Sequence, residues 1–295
     1  MTFTQLEIFV VIAELGSFTA AGQRLGITQS AVSHALKQLE TEWGVTLLSR
    51  GSTRIEVTEV GKSLLVRVLE LLGVSEAIRQ EVDAVRGLHR GVLRIGSFGT
   101  TSSLQLLPQI LERFERSYPG IDVFVDEGED DDVGRWLIER RVDVGFVVLP
   151  DERFDTSALV EDEFVVLIPA AHPLAAKKAV SLSEVSALPF IMTLAGSAGA
   201  IKDLFAQARL HPRVKQRYTQ IITIIKMVEN GSGLSIVADL AVPDEIMALC
   251  RGVTKRPLTP RVKRSVGLAI LKREGASPAV EAFLKVAKSV AVSLP

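Results

Sequence analysis

Five hydrogen-bonding side chains lie on one side of a predicted helix near the start of the sequence. They are Gln29, Ser30, Ser33, His34 and Lys37, and none of them is acidic. Small residues that allow close approach, beside longer donors for base edges and phosphates, are what a helix in a DNA major groove requires. We therefore predict a recognition helix, against the alternative that this is an ordinary polar helix face. The opposite face is predicted to pack on other helices through Ala31, Val32, Ala35, Leu36 and Leu39.

A short turn with an arginine on each side follows this helix. Arg50 and Arg54 flank the turn at residues 51–53, and the segments 45–48 and 55–57 around it are apolar or β-branched. This pattern predicts a small β-hairpin, or wing. Guanidinium groups beside its turn could reach DNA phosphates or the minor groove.

Two preceding helices are needed to support the recognition helix. Apolar residues at helical spacing predict the first, while Ser17 and Gly26 predict the start and end of the second over residues 18–25. Thr28 is the predicted N-cap of the recognition helix, which we expect to span residues 29–43. Three helices and a wing together predict a winged helix-turn-helix.

A long helix is predicted from Val60 to Leu88, because the segment lacks proline and has apolar residues at heptad-like spacing. About 30 helical residues would span roughly 45 Å. A seam of this kind favours pairing with a second helix, and packing on the chain's own N-terminal domain is the alternative. The seam consists of Val60, Leu64, Val68, Leu71, Ile78, Val82 and Val85, with Ser75 in one slot.

Strands and helices alternate in the rest of the chain. Strands at 92–96, 121–125 and 144–149 alternate with helices at 104–118 and 133–141, which predicts a mostly parallel sheet with helices on its faces. A second group follows, so two lobes are expected. Its segments and those at the end of the chain are 164–169, 190–192, 199–210, 221–230, 234–237, 266–271 and 278–292.

The composition is that of a folded protein of about two domains. Of the 295 residues, 47% are hydrophobic and 23% charged, which excludes a disordered chain. The single cysteine, Cys250, excludes a disulfide framework and a Cys-rich metal site. The net charge of −1 does not indicate a nucleic-acid partner, so that prediction rests on local placement. We recognise no signal peptide or membrane span and expect a soluble, cytoplasmic protein with neither metal nor cofactor.

Several motifs resemble those of the LysR-type transcriptional regulators. The resemblance is most specific over residues 3–65 and looser beyond them. The N-terminal motifs include Gly16-Ser17-Phe18-Thr19-Ala20-Ala21-Gly22, Thr28-Gln29-Ser30-Ala31-Val32-Ser33-His34 and Thr58-Glu59-Val60-Gly61. The later motifs include Gly91-Val92-Leu93-Arg94-Ile95-Gly96, Val142-Asp143-Val144-Gly145 and His172-Pro173-Leu174.

The resemblance implies three parts. They are a winged helix-turn-helix DNA-binding domain over 1–58, a linker (dimerisation) helix over 59–88, and an effector-binding domain over 89–295 that is similar to periplasmic binding proteins. Lobe I of that domain would comprise 89–161 and 266–295, and lobe II 162–265. It further implies a regulator without catalytic activity that binds double-stranded promoter DNA and a small-molecule effector. The assembly would be a homodimer through the linker helix and then a homotetramer, with RNA polymerase as a further candidate partner.

The resemblance also places the effector between the two lobes. Free N–H groups and hydroxyls at a helix N-terminus there could bind an anion. The alternative for single residues is a capping or strand-ending role. The implied effector-binding residues are Ser97, Gly99, Thr100, Thr101, Ser102, Thr193, Ser197 and Thr223.

An acidic run spans residues 127–132, of which Gly128 is the one residue that is not acidic. We expect these acids to complement the dipole of a helix that begins near Asp132. The run follows the second predicted strand and so should lie near the mouth of the cleft. Our hypothesis is that it disfavours a carboxylate on that side of the effector, or attracts a cationic group.

A second class of protein also fits the α/β part of the chain. A cytosolic solute-binding protein or an enzyme with a fused helical N-terminus would share the same pattern of strands and helices. The two classes differ in the recognition helix, since only a DNA-binding protein needs Gln29, Ser33, His34 and Lys37 on one exposed face.

The wing arginines generate a first testable prediction. Replacing Arg50 or Arg54 by alanine should weaken binding to all DNA sequences about equally, because phosphate contacts carry no sequence information. The slope of log affinity against log salt should fall by about one phosphate for each arginine. Filter binding at several salt concentrations measures this slope, and a loss confined to one DNA sequence would contradict the prediction.

Overall fold

Three helices form the N-terminal part of the chain in the computed structural model, which describes residues 1–50, 55–85, 90–194 and 197–291. They are α1 (Phe3–Leu15), α2 (Phe18–Leu25) and α3 (Gln29–Trp43), as predicted. The hydroxyls of Ser17 and Thr28 accept hydrogen bonds from Ala20 N and Ala31 N and so cap α2 and α3. Each helix ends at a glycine in the left-handed conformation.

The helices enclose a core that holds most of the predicted apolar face of α3. Val32, Leu36 and Leu39 are buried against Phe9 and its neighbours in α1. Ala31 differs from the prediction, because its side chain is exposed. It lies about 100° from Val32 around the helix axis, at the rim of the apolar face.

The predicted wing is a two-stranded antiparallel hairpin of β1 (Leu48–Arg50) and β2 (Ile55–Val57). Arg54 and the turn lie outside the described residues. The linker helix α4 (Glu59–Val85) follows. Its first half packs in the N-terminal core through the buried Val68, so the alternative of packing within the domain holds for that half. From Leu71 onward it exposes four residues of the predicted seam, Leu71, Ile78, Val82 and Val85, and also Val74, which lies outside that seam.

The strands and helices predicted for the rest of the chain occur in the predicted order. Five further strands and α-helices among the described residues were not predicted, namely Val180–Ser181, Leu182–Ser186, Arg213–Tyr218, Asp244–Met247 and Val253–Thr259. The strands are β3 (Arg90–Phe98), β4 (Gly120–Gly128), β5 (Val144–Leu149), β6 (Asp155–Pro169), β7 (Val180–Ser181), β8 (Pro189–Thr193), β9 (Arg213–Tyr218), β10 (Ser235–Ala238), β11 (Val253–Thr259) and β12 (Lys263–Ile270). The helices are α5 (Leu107–Ser117), α6 (Asp130–Ile138), α7 (Leu182–Ser186), α8 (Ala198–Gln207), α9 (Ile221–Glu229), α10 (Asp244–Met247) and α11 (Pro278–Ala291).

The main sheet is mixed, so the prediction of a mostly parallel sheet is confirmed for β3, β4 and β5 and wrong for the strands beyond them. Its strand order is β4-β3-β5-β12-β6-β11-β7, and β10 also pairs with β6. β3 is parallel to β4 and β5, whereas β12 is antiparallel to β5 and to β6. β6 carries the chain into the second lobe and β12 brings it back, so the two strands run in opposite directions.

Each lobe has its own apolar core. The first core takes buried residues from 93–159 and 266–290, and an edge-to-face pair of Phe114 and Phe283 lies within it. The second lobe draws on residues 164–258, with a similar pair of Phe190 and Phe205. The crossing strand β6 contributes residues to both lobes, with Leu159 in the first core and Phe164 in the second.

Two helix starts differ from the sequence prediction in ways that affect the cleft. A π-helical segment, Thr101–Leu106, precedes α5, so the helix expected from residue 104 begins three residues earlier. Helix α6 begins at Asp130 rather than near Asp132, and Glu129 caps it in a reciprocal pair with Asp132. No helix among the described residues is long and apolar enough to cross a membrane.

Gln80 fastens the linker helix to the effector-binding domain. This buried side chain donates from Nε2 to the carbonyl of Val92 at 3.2 Å and accepts from Ala279 N at 3.2 Å. Gly91 passes so close that a Cβ atom there would lie 2.6 Å from Gln80 Nε2, and its φ of 153° also favours glycine. One amide therefore joins α4 to both β3 and α11.

Replacing Gln80 by leucine should destabilise the full chain by about 1–3 kcal/mol, because two buried backbone groups lose their partners. Urea unfolding followed by circular dichroism measures the change. The matched control is Gln109→Leu at an exposed position of α5, which should change stability by less than about 0.5 kcal/mol. Equal effects of the two substitutions would show that Gln80 does not hold this joint.

Candidate DNA-binding face and ligand cleft

The predicted recognition face is open to solvent on α3. Gln29, His34 and Lys37 are exposed, and Ser33 is half-buried between them. Thr28 and Ser30 are exposed too, but their hydroxyls hydrogen-bond each other at 3.0 Å and Thr28 caps the helix. The side chains of Gln29, Ser33, His34 and Lys37 make up the rest of the face predicted to contact DNA.

A close backbone contact sets the angle between α2 and α3. A Cβ atom on Gly22 would lie 2.8 Å from the carbonyl oxygen of Ile27 and 3.3 Å from Gln29 N. Real side chains do not tolerate the shorter distance, so the turn can approach α2 this closely only at a glycine. This contact places the N-terminus of the recognition helix.

Two acidic residues near this face, Glu40 and Glu42, have partners elsewhere in the N-terminal domain. Glu40 Oε1 accepts hydrogen bonds from Leu47 N at 2.7 Å and Leu48 N at 3.3 Å, which fastens the start of the wing to α3. Glu42 pairs with the N-terminal amine of Met1. This role of Glu40 was not predicted from the sequence, because its partners follow the end of the helix and belong to no local motif.

A small, partly open cavity lies between the two lobes. It has room for the centre of a water molecule over about 10 Å³, which corresponds to about one water. Five of the predicted effector-binding residues line it, namely Gly99, Thr100, Thr101, Thr193 and Ser197. Phe98, Ile221, Val237, Ala238, Ala241 and Arg264 complete the lining.

Three predicted effector-binding residues do not line this cavity. Ser97 and Ser102 are buried and hydrogen-bond each other at 3.0 Å, and the hydroxyl of Ser102 also accepts from Phe98 N. These hydrogen bonds join the end of β3 to the π-helical segment that follows it. Thr223 is half-buried on α9, and Ile221 at the start of that helix lines the cavity instead.

Arg264 occupies the cleft and was not predicted from the sequence. Its Nε and Nη2 donate to Asp162 Oδ2 at 3.0 and 2.9 Å, while Nη2 also donates to Thr101 Oγ1 at 2.8 Å. Nη1 donates to Ser197 Oγ at 3.1 Å. The ion pair is buried, with Arg264 8% and Asp162 5% exposed. One guanidinium thus joins the first lobe, the second lobe and both crossing strands.

Further hydrogen bonds and neighbouring charges act on this ion pair. The second carboxylate oxygen of Asp162 accepts from Glu163 N and Leu240 N, so both oxygens are hydrogen-bonded. Burial lowers the pKa of the Arg264 guanidinium, whereas Asp162 and then Asp130 act in the opposite direction. Arginine nevertheless stays protonated in proteins, so the pair is ionic.

The acidic run reaches the edge of the cleft. Gly128 pairs with Phe98 in the β3–β4 register, and Asp130 begins α6 two residues later. Burial, and then the neighbouring carboxylate of Asp131, raises the pKa of Asp130. Backbone N–H groups and Arg264 offset part of this rise. The negative charge of Asp130 is therefore unfavourable for the stability of the folded protein. It lies close to the buried ion pair.

Comparison with known families assigns both parts of the chain. Residues 3–62 match the family described as bacterial regulatory helix-turn-helix protein, lysR family, and residues 86–291 match the LysR substrate binding domain. The chain belongs to the LysR family of transcriptional regulators. It therefore combines a helix-turn-helix DNA-binding domain with a two-lobed effector-binding domain, and ligand-responsive regulation is typical of this family.

Relatives match over almost their whole length. The chain is 36% identical to the HTH-type transcriptional regulator YvbU of Bacillus subtilis, covering 98% of this chain and 99% of that protein. It is also 36% identical to the probable HTH-type transcriptional regulator LrrA of Synechococcus elongatus, covering 99% and 98%.

Solved structures share the fold. A cysteine-to-aspartate variant of full-length OxyR from Pseudomonas aeruginosa superposes with a TM-score of 0.76 at 24% identity, covering 98% of this chain and 95% of that one. Full-length CbnR complexed with its target DNA gives a TM-score of 0.63 at 21% identity, covering 98% and 99%.

Asp130 generates a prediction for this LysR-family regulator. The pKa of this carboxylate is higher in the folded protein than in the unfolded chain. It therefore stabilises the folded state at a pH below its unfolded pKa, and this stabilisation is lost as the pH rises through its folded pKa. Asp130→Asn should therefore raise thermal stability at pH 7, and the gain should shrink as the pH falls through the raised pKa of Asp130. Asp203→Asn, at an exposed position of α8, controls for the lost charge. A gain that is constant with pH would contradict ionisation as the cause.

Proposed function

We propose that the exposed side chains of Gln29, Ser33, His34 and Lys37 read promoter DNA in the major groove. Support comes from their shared face on α3, from the absence of acidic side chains among them, and from the close contact at Gly22. Thr28 and Ser30 lie at the helix N-terminus, where their hydroxyls could accompany backbone N–H groups on a phosphate. We assign Arg50 and Arg54 to the wing contacts on the strength of the sequence.

The proposed DNA-binding unit is a homodimer through the linker helix. The exposed half of α4 presents Val74 and Ile78, which are 61% and 56% exposed, with Leu71 and Val82 one turn before and after. Spacings of three and four residues place these side chains along one face of the helix, which a second copy can cover. The division of the chain at 1–58, 59–88 and 89–295 belongs to this proposal.

A homotetramer would use further apolar surface on the effector-binding domain. Leu104, Phe124 and Ile222 are exposed there, on different elements from the linker seam. CbnR was solved with its target DNA, and a similar mode of DNA binding is proposed for this chain. The regulator would act in the cytoplasm, where its promoter DNA and RNA polymerase, a candidate partner, are found.

The cleft is the proposed effector site, and no catalytic role is assigned to it. The observation that supports it best is the set of hydroxyls from both lobes, Thr100, Thr101, Thr193 and Ser197, around one cavity. Ligand closure can shift the placement of the DNA-binding domains only by as much as the effector prefers one state over the other.

Charge reversal on the recognition helix tests the DNA-binding role. Ser33→Glu and Lys37→Glu should each abolish binding to DNA fragments that the full-length protein selects from a random library, because a carboxylate in the groove repels phosphates and base acceptors. A gel-shift assay at moderate salt measures the loss.

The control makes the same charge change far from the recognition helix. Lys285→Glu, at an exposed position of α11, should leave DNA binding within about twofold. Circular dichroism and light scattering check that each variant keeps its fold and oligomeric state. DNA binding that survives both Ser33→Glu and Lys37→Glu would overturn the recognition-helix assignment.

A further inference from the structure

Arg264 presents two different edges inside the cleft. The edge formed by Nε and Nη2 faces Asp162, which is itself held by two backbone N–H groups. The edge formed by Nη1 and Nη2 faces the cavity, where it donates to Ser197 and Thr101. Asp162 thus accepts at the first edge, and the neutral hydroxyls of Ser197 and Thr101 are among the acceptors at the second.

Two parallel N–H groups on one guanidinium edge match the two oxygens of a carboxylate. A carboxylate accepts these bonds more strongly than a neutral hydroxyl does, because both partners are then ionised. Building on the proposed effector site, we propose that Arg264 anchors the effector through a carboxylate group. This group replaces the hydroxyls of Thr101 and Ser197 as acceptors, and both hydroxyls then turn to donate to it.

The charges around the anchor restrict the rest of the ligand. Asp162 already balances Arg264, so one bound carboxylate leaves the buried group with a net negative charge. A second anionic group would be repelled by Asp130, which begins α6 and interacts electrostatically with Arg264. The remaining lining combines the hydroxyls of Thr100 and Thr193 with apolar side chains that include Ile221, Val237 and Ala238. The inferred class is a small monocarboxylate whose remainder is uncharged and partly apolar.

Thermal unfolding of the full-length protein tests the class of ligand. Sodium propionate is the probe, propionamide is its uncharged isostere, and succinate and inorganic phosphate carry additional negative charge. Propionate at about ten times its Kd should raise the Tm by about 2–4 °C through mass action. Propionamide, succinate and phosphate at the same concentration and ionic strength should raise it by less than about 1 °C.

Variants test the anchor itself. Arg264→Lys keeps the positive charge but loses the planar fork, and it should weaken propionate binding by about tenfold or more. Arg261→Lys is the matched control, because Arg261 is exposed and pairs with Glu163 at the surface. Since Arg264→Lys could also destabilise the buried pair, Thr101→Val supplies a second test. It should weaken propionate binding, and Thr101→Ser should restore it.

The outcomes separate this inference from the proposed function. Equal stabilisation by propionamide and propionate, unchanged propionate binding in Arg264→Lys and Thr101→Val, or no response to propionate at about 10 mM would overturn the carboxylate anchor. A preference for succinate or phosphate would overturn the restriction to one negative charge. None of these results affects DNA binding, whereas failure of the Ser33→Glu and Lys37→Glu test would overturn the DNA-binding role alone.

Discussion

The buried ion pair of Arg264 and Asp162 is the constraint around which the effector-binding domain is arranged. The two residues are register partners on β12 and β6, the strands that cross between the lobes. Removing two charges from water costs several kcal/mol per ion, and only a fully hydrogen-bonded geometry repays it. Both carboxylate oxygens of Asp162 are therefore bonded, and leaving either partner alone would cost about 3–5 kcal/mol. The lobes must keep both crossing strands in this register.

The same principle of satisfied polar groups joins the other parts of the chain. Gln80 carries the linker helix on two backbone groups of the first lobe, and Glu40 fastens the wing to the recognition helix through two N–H groups. Each contact uses one side chain to join different elements. A hydrogen bond fixes their relative position, whereas an apolar contact is not directional. Specific hydrogen bonds thus join the wing to α3 and the linker helix to the first lobe, while apolar cores hold each part together.

Local patterns in the sequence were sufficient to predict the DNA-binding domain. Hydroxyl N-caps at Ser17 and Thr28, with glycines at the helix ends, gave the helix bounds, because capping depends on residues within one turn. Arg264 has no such local signal. Its partners Asp162 and Thr101 lie 102 and 163 residues away, and it precedes the apolar stretch from which the strand was predicted. The available clue was a pair of opposite charges, each just before an apolar strand, on two strands that the chain must bring together.

The mixed sheet was missed for a related reason. Alternating strands and helices predict parallel neighbours, but they do not reveal that one strand leaves a lobe and another returns beside it. That return is what brings Asp162 and Arg264 together. Parallel pairing was right for β3 with β4 and β5, where each connection contains a helix, and wrong at the centre of the sheet. Long-range connectivity, and not residue preference, decided this part of the fold.

Opening of the cleft does not require the buried ion pair to break. Separating the lobes breaks the bond from Arg264 to Thr101, whereas the ion pair with Asp162 survives because both partners lie on the crossing strands. A hydrogen bond from a charged group to a neutral hydroxyl is worth about 1.5–3 kcal/mol. This bond is one contribution to the free energy of closing, beside the contact between the segments Thr101–Leu106 and Asp239–Ala241. A ligand can enter the open state without displacing the ion pair. An effector that then gives Arg264 a stronger acceptor than Thr101 shifts the equilibrium by the difference between the two bonds.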